Sequence, residues 1–384
     1  MKVTRLNEVA DFDYGFAFDS KKFNAEGEGL PLVRIRDVLP GRSKTYYSGA
    51  YSDRYLVQDA DFLIGMDGQF NLSQWQRGRA LLNQRVCRIG DLAASVDRAY
   101  LARFMSLALK TSEDATPFVT VKHLSAKALN AIEILLPPFE EQRRIAAILD
   151  HADAIRTKRR QQVAYVDSMA SSLFLDMFGD PARNPRDLRT AQLGSLATKF
   201  SDGPFGSNLK SSHYTESGVP VIRLQNIGVG EYKSTACTFV SEAHYSGLRK
   251  HDCRPGDVLI GTLGEPNIRA CIQPTSLPLA LNKADCVQMR VDESQVHAEY
   301  VVGLLNSPGT LAPANSLILG QTRARVSMGR LRTLVVPVPS IDEQRRYAAR
   351  IQEIASLREI ALGASRCDDQ LSASLQSRAF KGEL

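Results

Sequence analysis

The chain has 384 residues, enough for roughly two to three domains at about 150 residues each. Hydrophobic residues make up 43% and charged residues 23%. That balance supports real cores and excludes a disordered tail protein and a collagen-like one. No run of about 18 apolar residues occurs, which excludes a transmembrane helix. The segment Met1-Lys2-Val3-Thr4-Arg5 is followed by no apolar stretch, so no secretory signal is expected and the cytoplasm is the default compartment. Net charge is +6. Residues 1–138 hold 18 Lys+Arg against 16 Asp+Glu, and residues 180–340 hold 17 against 13. Residues 139–179 balance at six of each and residues 341–384 at seven of each. The basic excess therefore sits in two segments separated by neutral ones. A modest excess of this kind suits contact with phosphate, and equally suits an ordinary basic enzyme. The six cysteines (87, 237, 253, 271, 286 and 367) form no Cys-x-x-Cys pair and no zinc spacing, so no metal site is expected.

Taken in chain order, the elements repeat. Strand-like runs at 32–35 and 62–64 sit between loops rich in Gly, Asn and Ser, and similar runs recur at 219–224 and 257–260. Pro31-Leu32-Val33-Arg34-Ile35-Arg36 resembles Pro220-Val221-Ile222-Arg223-Leu224-Gln225. Asp61-Phe62-Leu63-Ile64-Gly65 resembles Asp257-Val258-Leu259-Ile260-Gly261. Leu82-Asn83 and Cys87 match Leu281-Asn282 and Cys286. Glu141-Gln142-Arg143-Arg144 recurs as Glu343-Gln344-Arg345-Arg346, each copy after an apolar run containing proline. The offset grows from 189 to 196, 199 and 202 with order retained, as loop insertions would produce in a duplicated domain.

Each unit ends in a long helix. The first begins after Pro137-Pro138 and runs to Phe178, where Gly179 supplies a left-handed stop. Its apolar stripe is Ile145, Ile148, Leu149, Ala152, Ile155, Val163, Val166, Met169, Ala170, Leu173 and Met177, close to a heptad. The second opens with Ser340-Ile341-Asp342-Glu343, a capping box, and carries Ile351, Ile354, Leu357, Ala361, Ala364, Leu371 and Leu375. At about 1.5 Å per residue each helix is roughly 60 Å long. Antiparallel packing of the two as a coiled coil is the simplest way to bury both stripes. The stripes weaken near residues 156–162 and 358–359, where the pairing is expected to be loosest. The expected fold is α/β: two mixed α/β domains joined by two long antiparallel helices, a pseudo-two-fold tandem repeat. Its parts are residues 1–138, the helix 139–179, residues 180–340 and the helix 341–384.

These residues resemble the specificity (S) subunits of type I DNA restriction–modification systems. Residues 134–181, ILLPPFEEQRRIAAILDHADAIRTKRRQQVAYVDSMASSLFLDMFGDP, resemble the family's central helix, and the final RAFKGEL resembles its usual ending. DFLIGMDGQFN (61–71) and TVKHLSAKAL (120–129) resemble segments of its target recognition domains. The second unit departs from the first, with Gly264-Glu265-Pro266-Asn267 where the first has Gly68-Gln69-Phe70-Asn71, which suggests different half-sites or simple drift. The resemblance implies a non-catalytic DNA-binding subunit. Each α/β unit would read half of a bipartite target in double-stranded DNA, with the helices as spacer. Two modification (methyltransferase) subunits would dock on this frame, and motor-nuclease restriction subunits would join them. No cofactor is expected in this chain. S-adenosylmethionine, ATP and Mg belong to the partner subunits.

Candidate DNA contacts follow from residue type. Arg reads guanine bidentately, and Asn or Gln reads adenine. In the first unit these are Arg34 and Arg36 at a strand end with Gln69 and Asn71 on a Gly-rich loop. In the second they are Arg223, Gln225 and Asn226 at the matching strand end with Asn267 and Arg269 on the matching loop. Trp75, Tyr46, Tyr47 and Phe205 are candidates to pack on sugars or methyl groups. The bland reading makes most of these ordinary loop polars. The basic run Arg156, Thr157, Lys158, Arg159 and Arg160 faces solvent, a partner or DNA.

Enzymatic readings are weaker. Leu136-Pro137-Pro138-Phe139 resembles the catalytic loop of amino-methyltransferases, but Leu136 cannot accept a hydrogen bond from an adenine amino group. No Gly-x-x-x-x-Gly-Lys-Ser/Thr loop exists, and Asp202 with Glu231-Tyr232-Lys233 is a chance-level nuclease match. Two alternatives remain beside the specificity subunit. One is a fused methyltransferase or nuclease. The other is a stand-alone transcriptional regulator on the same two reading heads.

Overall fold

The computed structural model describes residues 2–116, 122–235, 237–310, 318–319 and 325–384. Thr120 and Val121 of the 120–129 segment lie outside the described residues. The chain divides into two compact units, Met1–Arg159 with Ala364–Leu384, and Arg160–Gly363.

In the first unit the strands are β1 (Lys2–Arg5), β2 (Ala10–Tyr14), β3 (Phe23–Asn24), β4 (Leu30–Val33), β5 (Tyr46–Tyr47), β6 (Leu56–Val57), β7 (Phe62–Gly65), β8 (Asn71–Gln74), β9 (Ala80–Leu82), β10 (Val86–Leu92) and β11 (Glu133–Leu136). Helices α1 (Ile35–Val38), α2 (Arg98–Ala115) and α3 (Ala126–Asn130) precede α4 (Phe139–Phe178). The sheets run β2-β10-β7-β8, β3-β5-β4-β9-β6 and β1-β11. The second unit repeats this order with β12 (Thr190–Gln192), β13 (Ala197–Asp202), β14 (Tyr214–Thr215), β15 (Val219–Ile222), β16 (Phe239–Val240), β17 (Asp252–Cys253), β18 (Val258–Gly261), β19 (Arg269–Ile272), β20 (Ala280–Asn282) and β21 (Cys286–Val291). The short β22 (Ile318–Leu319), β23 (Arg325–Val326) and β24 (Val335–Pro337) follow. Its helices are α5 (Glu242–Ser246), α6 (Ala298–Asn306), α7 (Met328–Arg332) and α8 (Ile341–Ala379). Its sheets run β13-β21-β18-β19, β14-β16-β15-β20-β17 and β12-β24, so the topology is written twice, with a β22-β23 pair added in the second copy.

The expected strands 32–35 and 219–224 end earlier, at Val33 and Ile222. A side chain three residues on ends each of them. Asp37 Oδ2 accepts from Arg34 N at 3.0 Å, and Asn226 Oδ1 accepts from Arg223 N at 2.9 Å. Each turns the chain into a short helical segment where the apolar run would have extended it.

The Glu-Gln-Arg-Arg repeat has a physical cause. Gln142 is buried, and its Oε1 accepts from Asp97 N at 2.8 Å while its Nε2 donates to Ser95 O and Pro137 O at 2.9 Å. Gln344 is equally buried, accepting from His297 N at 2.8 Å and donating to Pro339 O at 2.9 Å and Gln295 O at 3.3 Å. Each glutamine thus ties a long helix to the entry of α2 or α6. A buried tyrosine adds a second tie: Tyr100 donates to Leu135 O and Tyr300 to Pro337 O, both at 2.7 Å. The Leu136-Pro137-Pro138-Phe139 stretch is this strand-to-helix corner.

Both long helices divide their cores between the units. Ile145, Ala146 and Leu149 of α4 lie in the first unit's core together with Ala379 of α8. The Phe380 ring lies tilted 5.4 Å from Tyr100 and edge-on 5.5 Å from Phe104, so the RAFKGEL ending plugs that core. In the second unit Phe174 and Phe178 of α4 meet Tyr347 of α8 at 5.7 and 5.4 Å. Within each unit the helix segments run antiparallel. Gly179 takes φ 77°, the left-handed stop, and Ser340 with Glu343 forms the capping box. The weak stretches of the stripes are bridged by charge. Arg156 pairs with Asp369 at 2.8 Å and Arg159 with Asp368 at 3.1 Å in the first unit, and Arg358 with Asp167 at 2.5 Å in the second. Arg156 and Arg159 therefore link helix to helix, which corrects the view of the basic run as one solvated or DNA-facing set. Lys158 is exposed.

Gln142→Ala and Gln344→Ala each strand a buried amide N–H and two carbonyls, a loss of about 2–4 kcal/mol. Chemical denaturation should show that loss for both, and under about 0.5 kcal/mol for Arg143→Ala, whose side chain is exposed.

Candidate nucleic-acid interface

One end of each unit gathers the polar residues. β4 and β9 pair in parallel, Leu32 with Leu81 and Val33 with Leu82. Their carboxyl ends emerge together, with Asn83 N donating to Val33 O at 3.1 Å. β15 and β20 repeat this, with Lys283 N donating to Ile222 O at 3.1 Å. Gly15 and Gly203 let another chain segment pass these turns. A Cβ on Gly15 would lie 2.0 Å from Asn83 O, and one on Gly203 2.1 Å from the Lys283 carbonyl carbon. The loop after β7 is pinned on both sides: Met66 N donates to Arg85 O, Leu124 N to Met66 O and Gly68 N to Lys122 O. The loop after β18 is pinned alike, Thr262 N to Asp285 O and Val326 N to Thr262 O.

The strand end and the loop come together. Gly65, at the end of β7, is flanked by the side chains of Asn71 and Ile35, and Gly261 by those of Arg269 and Leu224. Arg36, Gln69 and Gln225 are exposed there. Arg34 is half-buried, bonded to Thr45 and 3.8 Å from Asp37, whose carboxyl pKa is raised by burial against the opposing effects of Arg36 and Ser43. Asn71 is half-buried and donates to Gln69 O at 3.2 Å. Arg223 and Asn267 are half-buried at the matching places.

Two candidates hold the loops themselves. Asn226 is buried, and its Nδ2 donates to Lys233 O at 2.9 Å and Thr235 O at 3.1 Å. Arg269 spends its guanidinium on backbone carbonyls: Ile227 at 2.7 Å, Leu224 at 2.8 Å and Leu263 at 2.9 Å. Trp75 is a core residue, donating to Gly78 O at 2.7 Å, and Tyr47 is buried beside Phe18. Neither ring is placed to pack on DNA, because each fills the apolar space beneath a short sheet. Tyr46 is half-buried and Phe205 is exposed.

Glu231 pairs with Arg358 at 3.1 Å. Burial pushes the Cys271 and Cys286 thiols up to about 12, so neither is a thiolate nucleophile near neutral pH. Among the described residues no group of three or more His, Cys, Asp or Glu is placed to hold a metal.

Residues 1–165 match the family model of the type I restriction modification DNA specificity domain. Over 409 aligned positions the chain is 27% identical to the type I restriction enzyme EcoBI specificity subunit of Escherichia coli, covering 99% of this chain and 85% of that one. It is 22% identical to the MjaVIII specificity subunit of Methanocaldococcus jannaschii, covering 79% and 74%. Nearly the whole chain is thus similar to specificity subunits of type I restriction–modification systems, and its first 165 residues match their DNA specificity domain. The fold agrees. The S subunit from M. genitalium superposes with TM-score 0.54 at 13% identity over 99% of this chain and 96% of that one. A chain from a structure of the type I R-M system gives 0.66 at 16% identity over 100% of this chain and 98% of that one.

Residue roles at the interface separate by stability. Asn226→Ala and Arg269→Ala should each cost about 2–3 kcal/mol, since several backbone groups lose their partners. Gln225→Ala and Gln69→Ala should stay within about 0.5 kcal/mol of the parent in the same denaturation experiment.

Proposed function

We propose that each unit is a target recognition domain reading one half of a bipartite site in double-stranded DNA. The chain is the non-catalytic recognition subunit of a restriction–modification complex. The observation that carries this is the duplicated polar end, assembled twice on one topology from different side chains. Two alike frames with unlike residues suit two unlike half-sites. Arg36 and Gln69 in the first unit and Gln225 in the second are the exposed readers, with Arg34, Asn71, Arg223 and Asn267 beside them. Asn226 and Arg269 shape the loops that present them. Phosphate contacts position each head, and side chains at base edges specify.

In this reading residues 139–179 and 341–384 are the spacer and the frame for two modification subunits, with restriction subunits joining for cleavage. The partners bring S-adenosylmethionine for adenine methylation, and ATP and Mg for restriction. The chain works in the cytoplasm. Among the described residues no helix is long and apolar enough to cross a membrane.

Deleting the gene should erase adenine methylation in one split motif of the source genome, and an unchanged methylation map would refute the reading. In the assembled complex, Arg36→Ala with Gln69→Ala should weaken binding at one half-site by about 10-fold or more. Equal loss at both halves would contradict the assignment of one head to one half.

A further inference from the structure

Beside each reading loop lies a basic side chain held by a carboxylate, which the strand-end and loop pattern does not reveal. In the first unit Asp67 and His123 form an isolated backbone bridge, and Leu263 and Arg325 form the same bridge in the second. The bridged residue on the far side of the loop is therefore His123 in one unit and Arg325 in the other. Each is held by an acid, but from a different segment. Asp67, on the loop itself, contacts His123 Nδ1 and lies 3.5 Å from Arg85 Nε. Arg85 NH1 sits 3.3 and 3.4 Å from the two ring nitrogens, so its guanidinium lies against the imidazole. In the second unit the loop position is the apolar Leu263, and the acid has moved to the turn. There Asp285 Oδ1 lies 2.9 Å from Arg325 Nε. The Arg325 guanidinium sits over the Phe205 ring, 5.2 Å from its centroid.

The basic side chains are the outer members of these clusters. Arg85 and His123 are 54% and 45% exposed against 26% for Asp67, and Arg325 is 37% exposed against 28% for Asp285. The Phe205 ring against its face restrains the plane of the Arg325 guanidinium, which lowers the entropy cost of a forked contact. Among the described residues the terminal nitrogens of Arg325 engage no acceptor. We propose that Arg325 in the second unit, and His123 with Arg85 in the first, contact DNA directly and help set the half-site each unit prefers. This rests on the reading of the units as DNA-recognition domains. A fork braced by Phe205 and an imidazole braced by Arg85 present different donors, so the two halves are read differently at equivalent places.

The test uses the full chain assembled with its modification subunits. The probes are three duplexes: the methylated motif mapped in the source genome, and that motif with either half substituted. Arg325→Ala should lower affinity for the intact duplex by about 10-fold or more and remove discrimination at one half only. His123→Ala with Arg85→Ala should do the same at the other half. Arg325→Lys keeps charge but not the fork, and should also lose discrimination at its half. It is read in place of Arg325→Ala if that variant melts early. Wild-type discrimination at both halves in folded variants overturns this inference while leaving the wider reading intact. Parent complex that discriminates at neither half overturns both.

Discussion

A buried glutamine in the second turn of each long helix is the constraint on which the rest of the structure depends. Gln142 and Gln344 each bond three backbone groups that belong to neither helix interior: the entry of the domain's own helix, the loop before it and the proline corner. A glutamine is long enough to span these groups and carries both a donor and an acceptor. Glutamate would place an acceptor where two carbonyls require a donor. The tie fixes the direction in which each helix leaves its sheet. The helix can then carry core residues at both ends, Ile145 and Leu149 in one unit and Phe174 and Phe178 in the other.

Sharing helices between units has a chemical consequence at mid-length. An apolar stripe needs a partner wherever it is exposed. Where the stripes fade, each unit substitutes ion pairs, Arg156–Asp369 and Arg159–Asp368 in one and Arg358–Asp167 in the other. Such pairs contribute modestly to stability, but they select one alignment of two antiparallel helices over its shifted alternatives. The neutral charge of residues 139–179 and 341–384 is thus partly internal pairing. The two α/β segments keep the net positive charge.

Much of this was legible in the amino-acid sequence, for physical reasons. Duplication shows as ordered matches because buried residues such as Leu82 and Leu281, or Cys87 and Cys286, are held by packing in both copies. Helix ends show because Gly179 and the Ser340–Glu343 box are local chemistry. The interface was less legible. Residue type alone does not separate an asparagine that faces outward from one that caps its own loop, and Asn226 does the latter. Trp75 and Tyr47 have the polar edges of surface aromatics but fill cores. His123 and Arg325 come beside the loop through a distant backbone bridge, which sequence spacing does not encode. Their shared offset of 202, the same as for Glu141 and Glu343, was the available signal.

On the proposed reading, specificity lies at the carboxyl ends of two short parallel strand pairs, built twice and furnished differently. Its central claim is that the two ends act on separate stretches of DNA. Base-by-base interference mapping of the assembled complex tests this most directly. Two separate clusters of sensitive bases are expected, one abolished by changes confined to the first unit and the other by changes confined to the second. A single continuous cluster, or two clusters that vanish together when either unit is altered, would contradict it.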